Sequence, residues 1–198
     1  KQAGVMLAVK NTLVVGLSGR LVGLDPTTGV IRWESAIATP RGTNDVERLV
    51  DLVAPFDRIG DVVCVRAFQT SVGCVNAERG LGLWSRPAVG EMGVSGNDNL
   101  VVAPMTNGVV HAFNRSNGER VWDTERLKYR ILSAPLVTPR GVLVADNGGW
   151  LYVLSLADGT LLNRIKLDSE ELATAPVLAG GRYVVVTREG RVTGLQIP

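Results

Sequence analysis

The stretch that decides the fold is Leu24-Asp25-Pro26-Thr27-Thr28-Gly29-Val30-Ile31-Arg32-Trp33. Related stretches return at residues 75–84, 113–122 and 154–163, and the glycine they share stands at positions 29, 80, 118 and 159. The spacings between these glycines are 51, 38 and 41 residues. Repeats of about this length, made of short strands, are typical of β-propeller blades.

The unit that begins near residue 134 shows the four strands of one blade. Val- and Leu-rich runs at residues 134–137, 141–145, 150–154 and 160–167 are separated by Gly, Asn-Gly and Asp-Gly turn signals. Glycine suits turns that need a positive φ. The predicted fold class is therefore all-β, a β-propeller of four-stranded antiparallel blades.

The predicted blades cover residues 1–37, 55–89, 92–124, 135–167 and 176–198 of one partial propeller. The last unit has no fourth strand, and an open sheet edge invites pairing with another chain. We therefore expect about four and a half blades here, from the C-terminal part of a larger propeller.

The period is broken once, by a predicted inter-blade loop at residues 38–54. Asn44 and Glu47 match a helix capping box. The apolar residues behind it follow helical spacing at Val46, Leu49, Val50 and Val53. The polar residues left on the exposed sides are Asp45, Arg48 and Asp51. An insertion of this kind in a repeat protein is often a binding loop, and the alternative is a tolerated surface loop.

A second connection, residues 123–131, is expected on the same rim of the disc because strands alternate in direction. It adds positive charge through Arg126, Lys128 and Arg130 and an aromatic ring through Tyr129. Arg and Tyr are frequent anchors of protein–protein interfaces. The rim therefore suits a protein partner, although a solvated surface needs no partner at all.

Composition excludes several functional classes. The chain of 198 residues is 45% hydrophobic, with 21 basic and 19 acidic residues and a formal net charge of +2. This balance argues against a disordered chain and against a nucleic-acid binder. No stretch of about 18 apolar residues occurs, so no transmembrane span is predicted.

Residues that could support catalysis or metal binding are few. The sequence contains no G-x-S-x-G, H-E-x-x-H, P-loop or C-x-x-C motif. The single histidine, His111, lies in a predicted strand and is interpreted as structural. We therefore predict no enzyme activity, no cofactor and no metal site.

The two cysteines fall on neighbouring strands of one blade. A two-residue turn at Gln69-Thr70 would point the thiols of Cys64 and Cys74 to opposite faces, which predicts two buried free thiols. A three-residue turn would place them directly opposite each other. Three tryptophans share one position in the fourth strand and are interpreted as packing anchors between blades: Trp33, Trp84 and Trp122.

The repeat at residues 24–33 resembles that of pyrroloquinoline-quinone-type propellers, which include quinoprotein dehydrogenases and the BamB family of outer-membrane β-barrel assembly lipoproteins. The loop at residues 45–51, followed by Pro55, looks like the BamB inter-blade loop with its Arg-Leu-x-Asp core. Residues 128–135 and 189–192 also fit that family, whose members have eight blades. Val53 departs from it, because a second acidic residue often stands there.

The resemblance implies a non-enzymatic scaffold subunit of the barrel assembly complex that binds the POTRA domains of BamA. Unfolded outer-membrane proteins are expected as further clients, and no nucleic acid is. The implied location is the periplasm, with attachment to the inner leaflet of the outer membrane through an N-terminal lipid anchor outside this chain. The implied partner-binding residues are Asp51 and Arg48, with Asp45, Leu49 and Arg130 on the same rim.

Two other functions remain open at this point. A quinone-dependent dehydrogenase would need calcium-ligating carboxylates and often carries an adjacent Cys-Cys pair, and Cys64 and Cys74 are ten residues apart. A generic periplasmic propeller adaptor would differ only in its partner.

Overall fold

The computed structural model describes residues 4–38, 50–167 and 172–196. In chain order these residues form five antiparallel sheets, which we call blades 1 to 5. The strands of blades 1 and 2 are β1 (Met6–Val9), β2 (Thr12–Leu17), β3 (Arg20–Leu24), β4 (Ile31–Ala36), β5 (Leu52–Ile59), β6 (Val62–Ala67), β7 (Ser71–Asn76) and β8 (Leu81–Pro87). The predicted all-β propeller architecture is confirmed.

Blades 3 and 4 also have four strands each, whereas blade 5 has three within the described residues. The strands of blade 3 are β9 (Ser95–Gly96), β10 (Leu100–Pro104), β11 (Val110–Asn114) and β12 (Arg120–Thr124). The strands of blades 4 and 5 are β13 (Leu136–Thr138), β14 (Gly141–Ala145), β15 (Trp150–Leu154), β16 (Leu161–Lys166), β17 (Val177–Ala179), β18 (Arg182–Val186) and β19 (Val192–Leu195).

Apolar layers between successive blades form the core. Val14 and Leu21 of blade 1 pack with Val63 and Val65 of blade 2, and equivalent layers lie between blades 2 and 3, 3 and 4, and 4 and 5. The middle strands are buried on both faces, which explains their continuous Val- and Leu-rich runs.

Three of the four interblade layers contain a tryptophan of a fourth strand, as the repeat predicted: Trp33, Trp84 and Trp122. The Trp84 ring covers Gly118 of the next blade, where a Cβ atom would collide with the indole. Its Nε1 donates a hydrogen bond to the carbonyl of Arg115 at 2.7 Å. Trp122 repeats this contact on Gly159 and donates to the Leu156 carbonyl at 2.9 Å.

The predicted loop at residues 38–54 overlaps the first strand of blade 2. Leu52 and Val53 pair with Ala67 and Arg66, so β5 begins three residues before Pro55. Both residues are buried because adjacent residues of this strand pack on opposite faces of the sheet. Val53 is therefore a strand residue and not the last member of a helical series. Residues 50–53 are not helical, and residues 39–49 of the predicted loop, which include the start of the predicted helix at Asn44, lie outside the described residues.

The prediction of two free thiols is wrong, because Cys64 and Cys74 form a disulfide. Ala67 pairs with Ser71, which leaves a three-residue turn, and this register places the two cysteines directly opposite each other. Gln69 at the turn has a φ of +54°, a conformation that the sequence does not mark with glycine. The disulfide is buried between blades 2 and 3.

Candidate partner-binding face

One face of the disc carries the turns between the second and third strands of each blade and the connections between blades. We call it the loop face. In blade 2, the N–H of Phe68 donates to the carbonyl of Asp51 at 2.8 Å, and the N–H of Gln69 donates to the carbonyl of Gly90 at 2.9 Å. The turn is therefore tied to the connection on either side of it.

The same pattern continues along the face. In blade 3, Thr106 N–H donates to Val89 O at 3.0 Å, and Tyr129 N–H donates to Asn107 O at 2.8 Å. Blade 4 repeats it, with N–H···O bonds from Asn147 to Ile131 at 3.1 Å and from Leu167 to Gly149 at 2.8 Å. Among the described residues, backbone bonds thus tie neighbouring turns and connections of the loop face to one another. Asp51, at the end of the first connection, and Tyr129, in the second, both bond to turns of this face, as expected.

Asp51 lies on this face with an exposed side chain. Its carboxylate makes no ion pair within the described part of the chain, and its backbone carbonyl anchors the neighbouring turn. Asp51 therefore presents an exposed carboxylate on the loop face. The other predicted loop residues lie outside the described residues: Asp45, Arg48 and Leu49.

Arg130 is held by a carboxylate of its own chain. Its guanidinium bonds to Asp146, whose side chain is 1% exposed, while Arg130 itself keeps 45% exposure. Asp146 also accepts a hydrogen bond from the Tyr152 hydroxyl at 2.8 Å. Burial and the bond to Asp146 raise the pKa of Tyr152 to about 12, so the hydroxyl keeps its proton at neutral pH. The Arg130 side chain is thus held in place by Asp146 while nearly half of it stays exposed.

Apolar side chains stand beside these charges. Tyr129 is 87% exposed and has a φ of +68°, which is strained for a residue with a side chain. The Lys128 ammonium lies 5.7 Å from the centre of the Tyr129 ring. Phe68, Val89 and Ile131 are exposed on the same face. A mixture of aromatic, aliphatic and charged groups is the composition of a protein–protein interface.

Arg66 is a residue of this face that sequence reasoning missed. Its side chain is fully buried, and its two terminal nitrogens donate to the carbonyls of Ala88 at 2.6 Å and Pro104 at 2.7 Å. Burial lowers the pKa of Arg66 to about 10, so it stays charged at neutral pH. Arg66 thus links the 88–91 connection to blade 3. In the sequence, the only sign of this role is a single Arg near the end of the apolar strand β6.

A cavity of about 720 Å³ opens among the first strands of the blades. Its lining includes Pro55, Met92, Leu132, Asp146, Leu172 and Arg188. Across residues 4–38, 50–167 and 172–196, no three His, Cys, Asp or Glu side chains come together in a way that could hold a metal ion. The same residues include no helix with the length and apolar character needed to cross a membrane.

His111 lies half-buried in β11, against the edge of the Phe113 ring. Burial and the charge of Arg120 lower its pKa, so the imidazole is neutral at neutral pH. Its buried Nδ1 has no hydrogen-bond partner among the described residues, and the structural role expected from the sequence stays a prediction.

Comparison with known proteins agrees with this architecture. The family described as outer membrane protein assembly factor BamB matches residues 1–124 and 106–197. The chain is 34% identical over 195 residues to outer membrane protein assembly factor BamB of Burkholderia pseudomallei, covering 98% of this chain and 51% of that protein. It is 31% identical to the protein of the same name from Bordetella pertussis, covering 96% and 50%.

Among solved structures, BamB from Moraxella catarrhalis superimposes with a TM-score of 0.85 and 23% identity, covering 97% of this chain and 58% of that one. This likeness shows the fold. The chain spans about half the length of the curated relatives it matches. Because the two family matches together cover residues 1–197, the chain belongs to the family of outer membrane protein assembly factor BamB.

Proposed function

We propose that this chain is part of a non-enzymatic scaffold subunit of the outer-membrane β-barrel assembly complex, and that its loop face binds the POTRA domains of BamA. Family membership supports the assembly role. The observation that carries the binding role is the continuous loop face, on which Asp51 is exposed and makes no ion pair among the described residues.

The stiffness of this face favours binding. Loops that are already ordered lose little conformational entropy when a partner docks, so more of the contact energy appears as affinity. On the loop face each turn is bonded to the connections beside it. The described part of the face therefore offers Asp51 and Arg130 from an ordered backbone.

The proposed contact residues divide into two groups. Asp51, with Arg48, Asp45 and Leu49 of the preceding segment, would form one end of the contact. Arg130 would form the other, since its bond to Asp146 fixes it while nearly half of its side chain stays exposed. Exposed Tyr129 would add apolar area beside it.

The proposed location is the periplasm, with attachment of the whole protein to the inner leaflet of the outer membrane by an N-terminal lipid anchor. The Cys64–Cys74 disulfide supports an oxidising compartment. Unfolded outer-membrane proteins are proposed as further clients.

The test is a calorimetric titration of the intact protein into the purified POTRA array of its own BamA. Asp51→Arg should weaken binding by about 1–3 kcal/mol, because a charge-assisted contact is replaced by repulsion. The matched control is Asp98→Arg, the same charge change at an exposed turn between β9 and β10 on the opposite face. It should leave affinity unchanged.

Two results would contradict the proposal. Equal affinities for wild type and Asp51→Arg would remove Asp51 from the contact. No binding by the wild type would favour the adaptor or the quinone-type dehydrogenase, and a titration with quinone and calcium would then separate those two.

A further inference from the structure

A cluster of cations and aromatic rings lies on blade 4, at the margin of the loop face. Trp150 and Tyr152 of β15 pair with Lys166 and Arg164 of β16. Residues paired across two strands, and residues two apart along one strand, project from the same face of a sheet. The four side chains therefore form one layer, on the side of blade 4 that packs against blade 3.

The rings hold the cations in place. The Arg164 guanidinium carbon lies 5.1 Å from the centre of the Trp150 ring, and the Lys166 ammonium lies 5.3 Å from the same centre. Trp150 is half-buried, whereas Arg164 and Lys166 are exposed. Cations at these distances are attracted by the ring, so both charges are positioned before any partner arrives.

The cluster carries more positive charge than its carboxylate can balance. Asp146 uses one oxygen for the N–H groups of Gly148 and Trp150, and the other for Tyr152 and Arg130. It therefore neutralises Arg130 and leaves none of its oxygens without a partner.

Within residues 4–38, 50–167 and 172–196, no carboxylate pairs with the two cations of β16. Lys166 donates to the carbonyl of Gly148 at 2.7 Å, and neither Lys166 nor Arg164 makes an ion pair with any described residue. The adjoining connection adds Lys128, which pairs with Glu125 at 3.1 Å. Two cations thus face solvent next to the loop face.

We propose that Arg164 and Lys166 form an anion-receiving edge of the loop face, which binds an acidic segment of the protein docked there. This inference rests on the proposed function in taking the loop face as the partner-binding face. A guanidinium that stacks on a ring keeps its N–H edge free, and that edge matches a carboxylate with two parallel hydrogen bonds. The fixed geometry favours a peptide carboxylate over a membrane surface, which is attracted by the number of basic residues.

The first experiment measures the anisotropy of a labelled hexaglutamate peptide titrated with the intact protein at low and high salt. The double variant Arg164→Gln/Lys166→Gln should bind it about tenfold more weakly, with a smaller salt dependence. Arg164→Lys keeps the charge without the two-pronged edge and should fall between. The control Arg79→Gln/Arg182→Gln removes two exposed charges from the opposite face and should behave as wild type.

The second experiment uses the POTRA array of BamA with the same variants. Weaker binding by Arg164→Gln/Lys166→Gln supports the inference. If the array binds wild type and this variant equally and the peptide does not bind, the inference fails while the proposed function stands. If the peptide binds in the expected way and the array does not bind at all, the proposed function fails and the acidic-segment site stands.

Two further arms separate other occupants. Binding of the wild type to anionic vesicles, without binding to the peptide, would overturn the inference in favour of a membrane surface. The sequence also places Asp168, Glu170 and Glu171 just after β16, outside the described residues. If the peptide binds only after these residues are changed to Asn, Gln and Gln, the chain's own acidic segment is the occupant and the inference is wrong.

Discussion

At the scale of single residues, the tryptophans of the fourth strands provide matched probes of the blade interfaces. Trp84 Nε1 donates to a carbonyl, whereas the buried Nε1 of Trp33 has no acceptor among the described residues. Replacing either tryptophan with phenylalanine removes the same side-chain volume. Trp84→Phe should therefore destabilise the protein by about 1–2 kcal/mol more than Trp33→Phe, because it orphans the Arg115 carbonyl.

Urea denaturation of the two variants measures this difference. Trp122→Phe serves as the control, since Trp122 also donates to a carbonyl, and it should resemble Trp84→Phe. Equal midpoints for Trp33→Phe and Trp84→Phe would show that the indole hydrogen bond contributes nothing to the interface.

Asp25, in the turn of the first repeat, links stability to pH. Backbone bonds from Thr28 and Thr27 and the Arg32 side chain lower its pKa from 3.8 to about 2. A carboxylate with a depressed folded pKa adds stability above its unfolded pKa, and this stability is lost as pH falls through the folded value. Asp25→Asn should therefore lose less stability than wild type between pH 3.8 and about 2.

Thermal melting across this pH range tests the prediction. Asn keeps a side-chain oxygen for the turn but cannot titrate, so the wild-type and variant curves should converge at the acidic end. Parallel curves for the two proteins would contradict it. Glu119→Gln, at an exposed turn position of blade 3, is a control for removing one acidic charge.

At the scale of elements, the disulfide joins the neighbouring strands β6 and β7 of blade 2, and its two cysteines are 10 residues apart in sequence. Cross-linking the unfolded chain over such a short loop stabilises the fold by about 2–4 kcal/mol. Cys64→Ala/Cys74→Ala should be destabilised by about that amount, with some further loss from the packing around both side chains.

Reductant provides the control for this double variant. Added dithiothreitol should lower the unfolding free energy of the wild type and leave that of the variant unchanged. A wild type whose unfolding does not respond to reductant would show that the disulfide does not constrain the unfolded chain.

Sequence reasoning succeeded where glycine marks a turn and failed where another residue takes its place. The repeat glycines, whose spacing predicted the blades, all have positive φ: Gly29, Gly80, Gly118 and Gly159. Gly19, Gly108 and Gly149, in the turns between second and third strands, have it too. In blade 2, Gln69 adopts the positive φ instead, which hid the three-residue turn and hence the pairing of the cysteines. Leu52 was assigned to the inter-blade loop, although it begins β5. A strand that is buried on both faces shows no alternation of apolar and polar residues, so its start is hard to recognise in the sequence.

The topology of the loop face was predictable from the sequence, whereas the contacts within it were not. Strand alternation correctly placed the two connections on one rim, because it depends only on the number of strands. The buried contacts of Arg66 and Asp146 could not be predicted from the sequence. A buried charged group needs polar partners, and these can come from strands distant in sequence, as the Pro104 carbonyl does for Arg66. The contact of Arg164 and Lys166 with the Trp150 ring could not be predicted without the pairing register of β15 and β16.

At the scale of the whole molecule, many of the hydrogen bonds that tie the loop face together run between main-chain atoms, and buried Arg66 is a side-chain exception. Main-chain groups are the same in every residue apart from proline, so substitution at most of these positions leaves the ties intact. Exposed side chains on this face can therefore change without changing its shape. Relatives that diverge in sequence there can keep the same main-chain template while offering a different surface chemistry.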